Sequence, residues 1–360
     1  MSAIRILLVT WRSLTHPKAG GSEVWATRVA EALVQRGHSV TYFSAQHEHS
    51  ENKMVSGVMY EHGGGQFSTY RKAKSYFRCN SESFDVVLEV VNTRPYFAFS
   101  WGSTPSVAMF HQLAVEVWGC ESPPIIGLIG RYLLEPFWIK RYRKKYVLAL
   151  SASTSESLYG FGVEAHVVDG PGNAVCTMSR KEKERNPTLV VVARLTPSKR
   201  IDDAIDAFLI AKKLIPGMEM IVIGGGVSMK PLTEKYSSVI GNGLSFLGRV
   251  DDELRDATIA RAHILLATSV REGWGLNVSE AALLGTPTIG YDVYGLRDSI
   301  PRSGGMLVEA QPKALAQAII GYFEGEFELH PKVSVVEWSE VGESVETHLL
   351  NASVRNPKKS

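Results

Sequence analysis

The chain has 360 residues, 44% of them hydrophobic, and its 39 Lys and Arg against 37 Asp and Glu give a formal net charge of +2. That length suits two domains of ordinary size, and the apolar content excludes a chain that is disordered overall. The near-neutral balance gives no long-range attraction to nucleic acid, so no nucleic-acid partner is expected.

The N-terminal MSAIRILLVTW carries a short alternating apolar run that reads as a strand and not as a secretory signal. No stretch reaches the length of a transmembrane helix. Cys79, Cys120 and Cys176 are scattered without metal-ligand spacing, which points to free thiols in a reducing cytoplasm.

In chain order, IRILLVT (4–10) is a strand, EVWATRVAEALVQRGH (23–38) has helical apolar spacing and stops at Gly37, and SVTYFSA (39–45) is a second strand. Strand, glycine-containing loop, helix and strand make a βαβ unit and imply a parallel sheet. FDVVLEV, PSVAMFHQ, YVLALSASTSESLYGFG and EAHVVDG continue the pattern. Residues 169–187, rich in Gly, Pro, Asn and charge, read as a linker. The pattern then restarts with TLVVVARL, IDDAIDAFLIAKKL, MEMIVIGGG, LSFLGRV, DDELRDATIARA, HILLATS, GLNVSEAALLG and TPTIGYD. The expectation is two doubly wound α/β domains, 1–170 and 187–333, with ligands at the carboxyl ends of their strands. An amphipathic helix at about 334–351, with Trp338, Val341 and Val345 on one side, ends the chain.

Three segments carry chemistry. HPKAGGSEV (16–24) leads from the first strand into the first helix, and Gly20 and Gly21 leave main-chain amides open to an anion at the helix start, with Ser22 available as a cap. The same residues also fit a plain turn, and no G-x-G-x-x-G occurs there. The triplets 63–65 and 224–226 lack the helix that fingerprint needs, although the second follows a strand. Arg194 and Lys199, five apart after a buried strand, could grip a diphosphate by a planar fork and a point charge. Arg200 could take the place of Lys199, and a solvated loop explains the same cations. Glu272 in a loop and Glu280 in the following helix flank Gly273 and Gly275. Two carboxylates can each accept a pair of hydroxyls, and the amides of Trp274, Gly275 and Leu276 lie near a helix N-terminus.

Taken together these segments resemble the retaining glycosyltransferases of family 4. EGWGLNVSEA is similar to the family's E-x7-E motif, VVVARLTPSKRIDDAIDAF to its GRL-xxx-KG segment and LSFLGRV to its F-x-G-x-V segment. GGSEV is similar to its N-terminal glycine loop and MFHQL to its histidine after a strand. The resemblance implies the GT-B fold, two Rossmann-like domains facing across a cleft, with the C-terminal helix crossing back to the N-terminal domain. It implies that Glu272 binds hydroxyls of the donor sugar, Glu280 the ribose, and Arg194 and Lys199 the diphosphate. Trp274, Gly275 and Leu276 would supply amides, Gly248, Arg249 and Val250 the nucleobase pocket, His111 the border of the sugar, and Gly20 and Gly21 the phosphate contact. Ala193, Arg200 and Asn277 depart from the family's pattern.

The activity so implied is metal-independent transfer of a hexose from a UDP- or GDP-sugar to a hydroxyl of a glycan, a lipid-linked acceptor or a small molecule, with no cofactor beyond the donor. His111 is expected to hydrogen-bond the sugar and not to move a proton. A nucleotide-sugar epimerase of the same fold, or a catalytically silent nucleotide-sugar-binding protein, are the alternatives. IIGLIGRYLLEPFWIKRYRKKY (125–146) mixes large apolar residues with a basic end and would be kinked at Pro136. It reads either as a domain helix with a solvated basic end or as a contact with the inner face of a membrane.

Overall fold

The structure, a computed structural model, describes residues 3–168, 170, 181–333 and 336–354. The segment read as a linker lies largely outside these residues. Contacts divide the chain into two compact units. The first comprises Met1–Val115, Ile129–Gly172 and Val336–Ser360, the second Glu116–Leu128 and Asn173–Val335.

The chain runs β1 (Arg5–Val9), α1 (Gly21–Gln35), β2 (Ser39–Ser44), β3 (Lys53–Val55), β4 (Val58–His62), α2 (Thr69–Cys79), β5 (Val86–Val91) and β6 (Ser106–Phe110). It continues through α3 (Trp118–Glu121), α4 (Pro124–Ile129), α5 (Glu135–Lys140), β7 (Tyr146–Ala149), α6 (Ala152–Tyr159) and β8 (His166–Val167). Then follow β9 (Thr188–Val192), α7 (Ile201–Ala211), β10 (Glu219–Ile223), α8 (Met229–Lys235), β11 (Leu244–Gly248), α9 (Asp252–Arg261) and β12 (Ile264–Ala267). The last elements are α10 (Leu276–Leu283), β13 (Thr288–Tyr291), α11 (Leu296–Arg302), β14 (Met306–Val308), α12 (Pro312–Glu324) and α13 (Trp338–Val354).

In the first unit the described strands form one sheet in the order β3-β4-β2-β1-β5-β6-β7-β8. All its pairs are parallel except β3 with β4. β5 is buried at every position, as a strand covered on both faces must be. Its one carboxylate, Glu89, accepts hydrogen bonds from the main-chain N–H groups of Tyr96, Phe97 and Ala98 and from the Tyr142 hydroxyl. α1 buries Trp25, Ala26, Val29, Ala30 and Leu33, one helical face. α13 packs on it through Val341, Val345 and Leu349, close enough that a Cβ on Gly342 would stand 2.5 Å from that of Ala32.

The second unit has a fully parallel sheet in the order β11-β10-β9-β12-β13-β14. Its core lies between the sheet and α7 and α12, around Phe208, Ile205, Leu315 and Ile319.

Three local features differ from the sequence reading. α1 starts two residues early, at Gly21. The hairpin of β3 and β4 was not anticipated; its turn, Ser56–Gly57, has positive φ at both residues (51° and 79°), the geometry a tight hairpin favours. The 125–146 segment is not one helix. A π-helical turn over Gly130–Leu134 separates α4 from α5, directly ahead of Pro136, whose ring cannot accept a regular turn before it.

Candidate functional site

In the second unit the strand order reverses between β9 and β12. Chain connections leave these neighbours in opposite directions, so a crevice opens at their carboxyl ends. The loops after these two strands carry the charged residues singled out above. Lys199 closes a 3-10 turn, Pro197–Lys199, and donates from Nζ to Glu272 Oε1. Ser269 Oγ donates to the same oxygen at 2.7 Å, while Glu272 Oε2 has no partner among the described residues. Thr268 Oγ1 donates to the carbonyls of Lys199 and Arg200 at 2.9 Å each, and Val270 N donates to Ser198 O at 2.8 Å. The two loops are thus laced together. Arg194 is exposed and forms no ion pair among the described residues.

Two departures from the family pattern acquire a physical reading here. Arg200 sits at φ 45°, a left-handed conformation that glycine adopts more easily. Asn277 Nδ2 donates to Val192 O, the last residue of β9, at 3.1 Å, and so fixes α10 to that strand. Gly275 precedes α10 at φ 93°. No side chain caps α10, and the N–H groups of Gly275 and Leu276 find no acceptor among the described residues. They form a small positive end in the crevice beside Lys199 and Glu272.

Glu280, one turn into α10, is half-buried, and burial pushes its carboxyl above the usual range; Arg255 pulls it back while Asp256 and Asp252 add to the rise. Trp274 Nε1 donates to Ser279 Oγ at 2.9 Å, which holds its ring against α10.

The loop after β10 completes this edge. A Cβ on Gly224, at φ 132°, would stand 1.8 Å from Ala193 O, and one on Gly226 would stand 2.2 Å from Leu195 O. Gly224 N donates to Gly248 O at 2.8 Å and Leu195 N to Gly225 O at 3.0 Å. Gly248 itself has φ 69°, and the Arg249 side chain lies along Gly225. Gly248, Arg249 and Val250 therefore stand at the carboxyl end of β11, tied through 224–226 to the loop bearing Arg194.

Sequence reasoning missed two carboxylates. Glu116 binds the buried Arg271 guanidinium, which also lies 4.3 Å over the Tyr294 ring, and Glu121 accepts from Ser198 Oγ. They brace the immediate neighbours of Glu272 and Lys199 from positions 155 and 77 residues away. No local sequence signal points to contacts at such separation.

In the first unit the switch falls between β1 and β5, and Asn92 Nδ2, past β5, donates to Ser22 Oγ at 3.0 Å. Ser22 is therefore not the cap. That place belongs to Gly20, whose N–H is taken by Glu23 Oε2 at 2.7 Å, while Glu23 Oε1 pairs with Arg12 at 3.0 Å. The amide of Gly20 is engaged, contrary to the sequence reading. Those of Gly21 and Ser22 have no acceptor among the described residues.

His111 is 5% exposed, edge-on to Trp25 of α1 at 4.9 Å, with Nε2 unpartnered among the described residues. Burial lowers it from 6.5 to about 3. It is neutral at ordinary pH and can donate or accept a hydrogen bond but cannot act as an acid. The unfolded chain takes up a proton below pH 6.5 that the folded chain refuses, so this residue costs stability as pH falls from 6.5 toward 3. We expect His111→Gln to flatten the fall in unfolding free energy between pH 7 and 5, by up to about 1.4 kcal/mol per pH unit. Urea titrations at the two pH values measure this; equal slopes in the two proteins would refute the buried neutral state.

Among the described residues no cluster of three His, Cys, Asp or Glu is placed to hold a metal, and no helix is long and apolar enough to cross a membrane.

Comparison with known proteins gives two family matches, "Glycosyltransferase Family 4" over residues 19–170 and "Glycosyl transferases group 1" over 178–334. The poly(glycerol-phosphate) alpha-glucosyltransferase of Bacillus subtilis is 27% identical over 173 residues, which are 47% of this chain and 25% of that protein. The matched stretch thus spans about a quarter of that relative. The sucrose-phosphate synthase of Thermosynechococcus elongatus superposes with a TM-score of 0.70 at 17% identity, over 98% of this chain and 97% of that one. Anabaena HepE, crystallised with UDP-glucose, gives 0.65 at 15% identity over 98% of both chains.

Proposed function

The chain belongs to the glycosyltransferases of group 1 and family 4, with the GT-B fold, and from that premise we propose that it moves a hexose from a nucleoside diphosphate sugar to an acceptor hydroxyl with retention of anomeric configuration. The observation that carries the reading is the Lys199–Glu272 pair and the open amides of α10 on the loops after β9 and β12, with Arg194 on the same loop as Lys199. A diphosphate gains charge as its bond to the sugar breaks. Arg194, Lys199 and the α10 amides are positive groups that can offset this charge, the part a divalent metal would otherwise play, so the transfer is metal-independent. Lys199 passes from its carboxylate partner to phosphate when the donor enters. That leaves Glu272 with Oε2 open and Oε1 held only by Ser269 Oγ, so the carboxylate can accept from sugar hydroxyls.

Glu280 accepts from the ribose, and Gly248, Arg249 and Val250 border the base. In the first unit, His111 and the open amides of Gly21 and Ser22 are groups available for hydrogen bonds to a sugar or a phosphate. The bond from C1 to the phosphate oxygen breaks, the bond from C1 to the acceptor oxygen forms on the same face, and the departing phosphate takes the acceptor's proton. HepE's complex with UDP-glucose favours a UDP-sugar as donor, and the acceptor is a glycan, a glycolipid or a small molecule.

Incubation with UDP-, GDP- and ADP-sugars and a panel of acceptors, with product anomers read by proton NMR, tests this. Retained configuration and unchanged rate in EDTA are expected. Inverted product, or a C2 or C4 epimer formed without acceptor, contradicts it. Glu116→Ala is expected to lower kcat roughly 10-fold through loosened orientation, with Glu116→Gln restoring part of the loss and donor KM moving less than kcat. Equal changes in kcat and thermal stability for both variants would reduce Glu116 to a structural role.

A further inference from the structure

We propose that the stretch from Ile129 to Lys145 in the first unit is a docking surface for anionic lipid bilayers, and that the enzyme works at a membrane surface. Leu133 is 64% exposed, Tyr132 62% and Phe137 58%, with Ile129 and Leu134 exposed as well. Five large apolar residues in nine positions is more than a solvated helix leaves uncovered.

The occupant follows from charge. Residues 129–145 contain Arg131, Lys140, Arg141, Arg143, Lys144 and Lys145. The one acid among them, Glu135, is buried and accepts from Ala114 N, so the stretch itself presents no exposed carboxylate against its cations. Arg141 and Lys145 lie over the Phe97 and Phe99 rings, and Arg143 donates to Phe161 O at 2.9 Å, which holds the basic end against the unit. Lys140 and Lys144 are exposed with no partner among the described residues. A second copy of this surface would bring like charges together. Leucine and isoleucine offer nothing to nucleic-acid bases. Aliphatic and aromatic side chains flanked by unopposed lysines suit the boundary between acyl chains and anionic headgroups. The π-helical turn at Gly130–Leu134 and Pro136 bend the segment, so its apolar residues stand on a short broken helix and not on a long stripe.

This inference deepens the transferase reading by placing the acceptor at the bilayer surface. Vesicle binding is measured independently of transfer, so either can fail alone. The test is co-sedimentation of the full chain with vesicles of phosphatidylcholine alone and with 30% phosphatidylglycerol, at about 50 and 500 mM salt. Binding to the anionic vesicles, at least 10-fold weaker at high salt, is expected. Leu133→Ser with Phe137→Ser should weaken it 10-fold or more while leaving UDP-sugar hydrolysis and melting temperature unchanged. Lys140→Glu with Lys144→Glu should act likewise, and Glu272→Ala should bind vesicles as the wild type does. Equal binding to both vesicle types, no binding, undiminished binding by the serine variant, or a concentration-dependent dimer abolished by that variant would each overturn the proposal.

Discussion

Lys199→Ala and Glu272→Ala should each lower turnover by about 10²–10³-fold, the scale for removing one fixed group that meets charge formed in the transition state. Their side chains are 16% and 18% exposed, in loops held by main-chain and threonine bonds that neither substitution touches. Melting temperatures should therefore stay within a few degrees of wild type. Lys199→Arg should not rescue, because a guanidinium fork differs from a point charge in reach and hydration. Because the two residues share one ion pair, the double variant should lose less than the product of the singles. Near wild-type rates in both single variants would refute the assignment. So would losses that track a collapse of stability.

The second large effect is structural. Gly224→Ala is expected to destabilise the second unit by on the order of 4 kcal/mol, combining a backbone conformation hostile to side chains with overpacking against a carbonyl. The added carbon would lie 1.8 Å from Ala193 O, a main-chain atom of the loop that carries Arg194. Thermal denaturation should show a fall of roughly 10 °C, and the variant should also lose donor affinity. Gly65→Ala is the control, since a Cβ there meets nothing within 4 Å. An unshifted melting temperature in Gly224→Ala would show that the close packing of these loops is not required.

The two glycine triplets show how far the sequence could be read. Residues 63–65 and 224–226 are the same in letters, yet in the first a Cβ would meet main-chain atoms only at Gly64 (Ser68 C and Thr69 N, 2.8 Å), while in the second it would do so at both Gly224 and Gly226 (1.8 and 2.2 Å). Strands and helices with strong periodicity, such as β1, α1, β2 and β9 to β13, were legible because burial on one or both faces writes itself into residue spacing. The β3–β4 hairpin had a local signal in Ser56–Gly57 that could have found it. The left-handed Arg200 had none, because arginine does not announce that conformation. Lys199 and Glu272 were singled out one by one, but their ion pair spans 73 residues and follows only from the adjacency of β9 and β12. The braces from Glu116 and Glu121 are longer still and were invisible. The engaged amide of Gly20 was misjudged because Glu23, three residues on, turns back to it.

The most direct test of the nucleotide-sugar site is calorimetric titration of UDP-glucose, with GDP- and ADP-sugars in parallel, into the wild type and the Arg194→Ala/Lys199→Ala variant. Saturable one-to-one binding of at least one of these donors, weakened 100-fold or more in the variant, is the expected result. Equal affinity in both proteins, or no binding of any sugar nucleotide to the wild type, would contradict the assignment of these cations to a donor diphosphate.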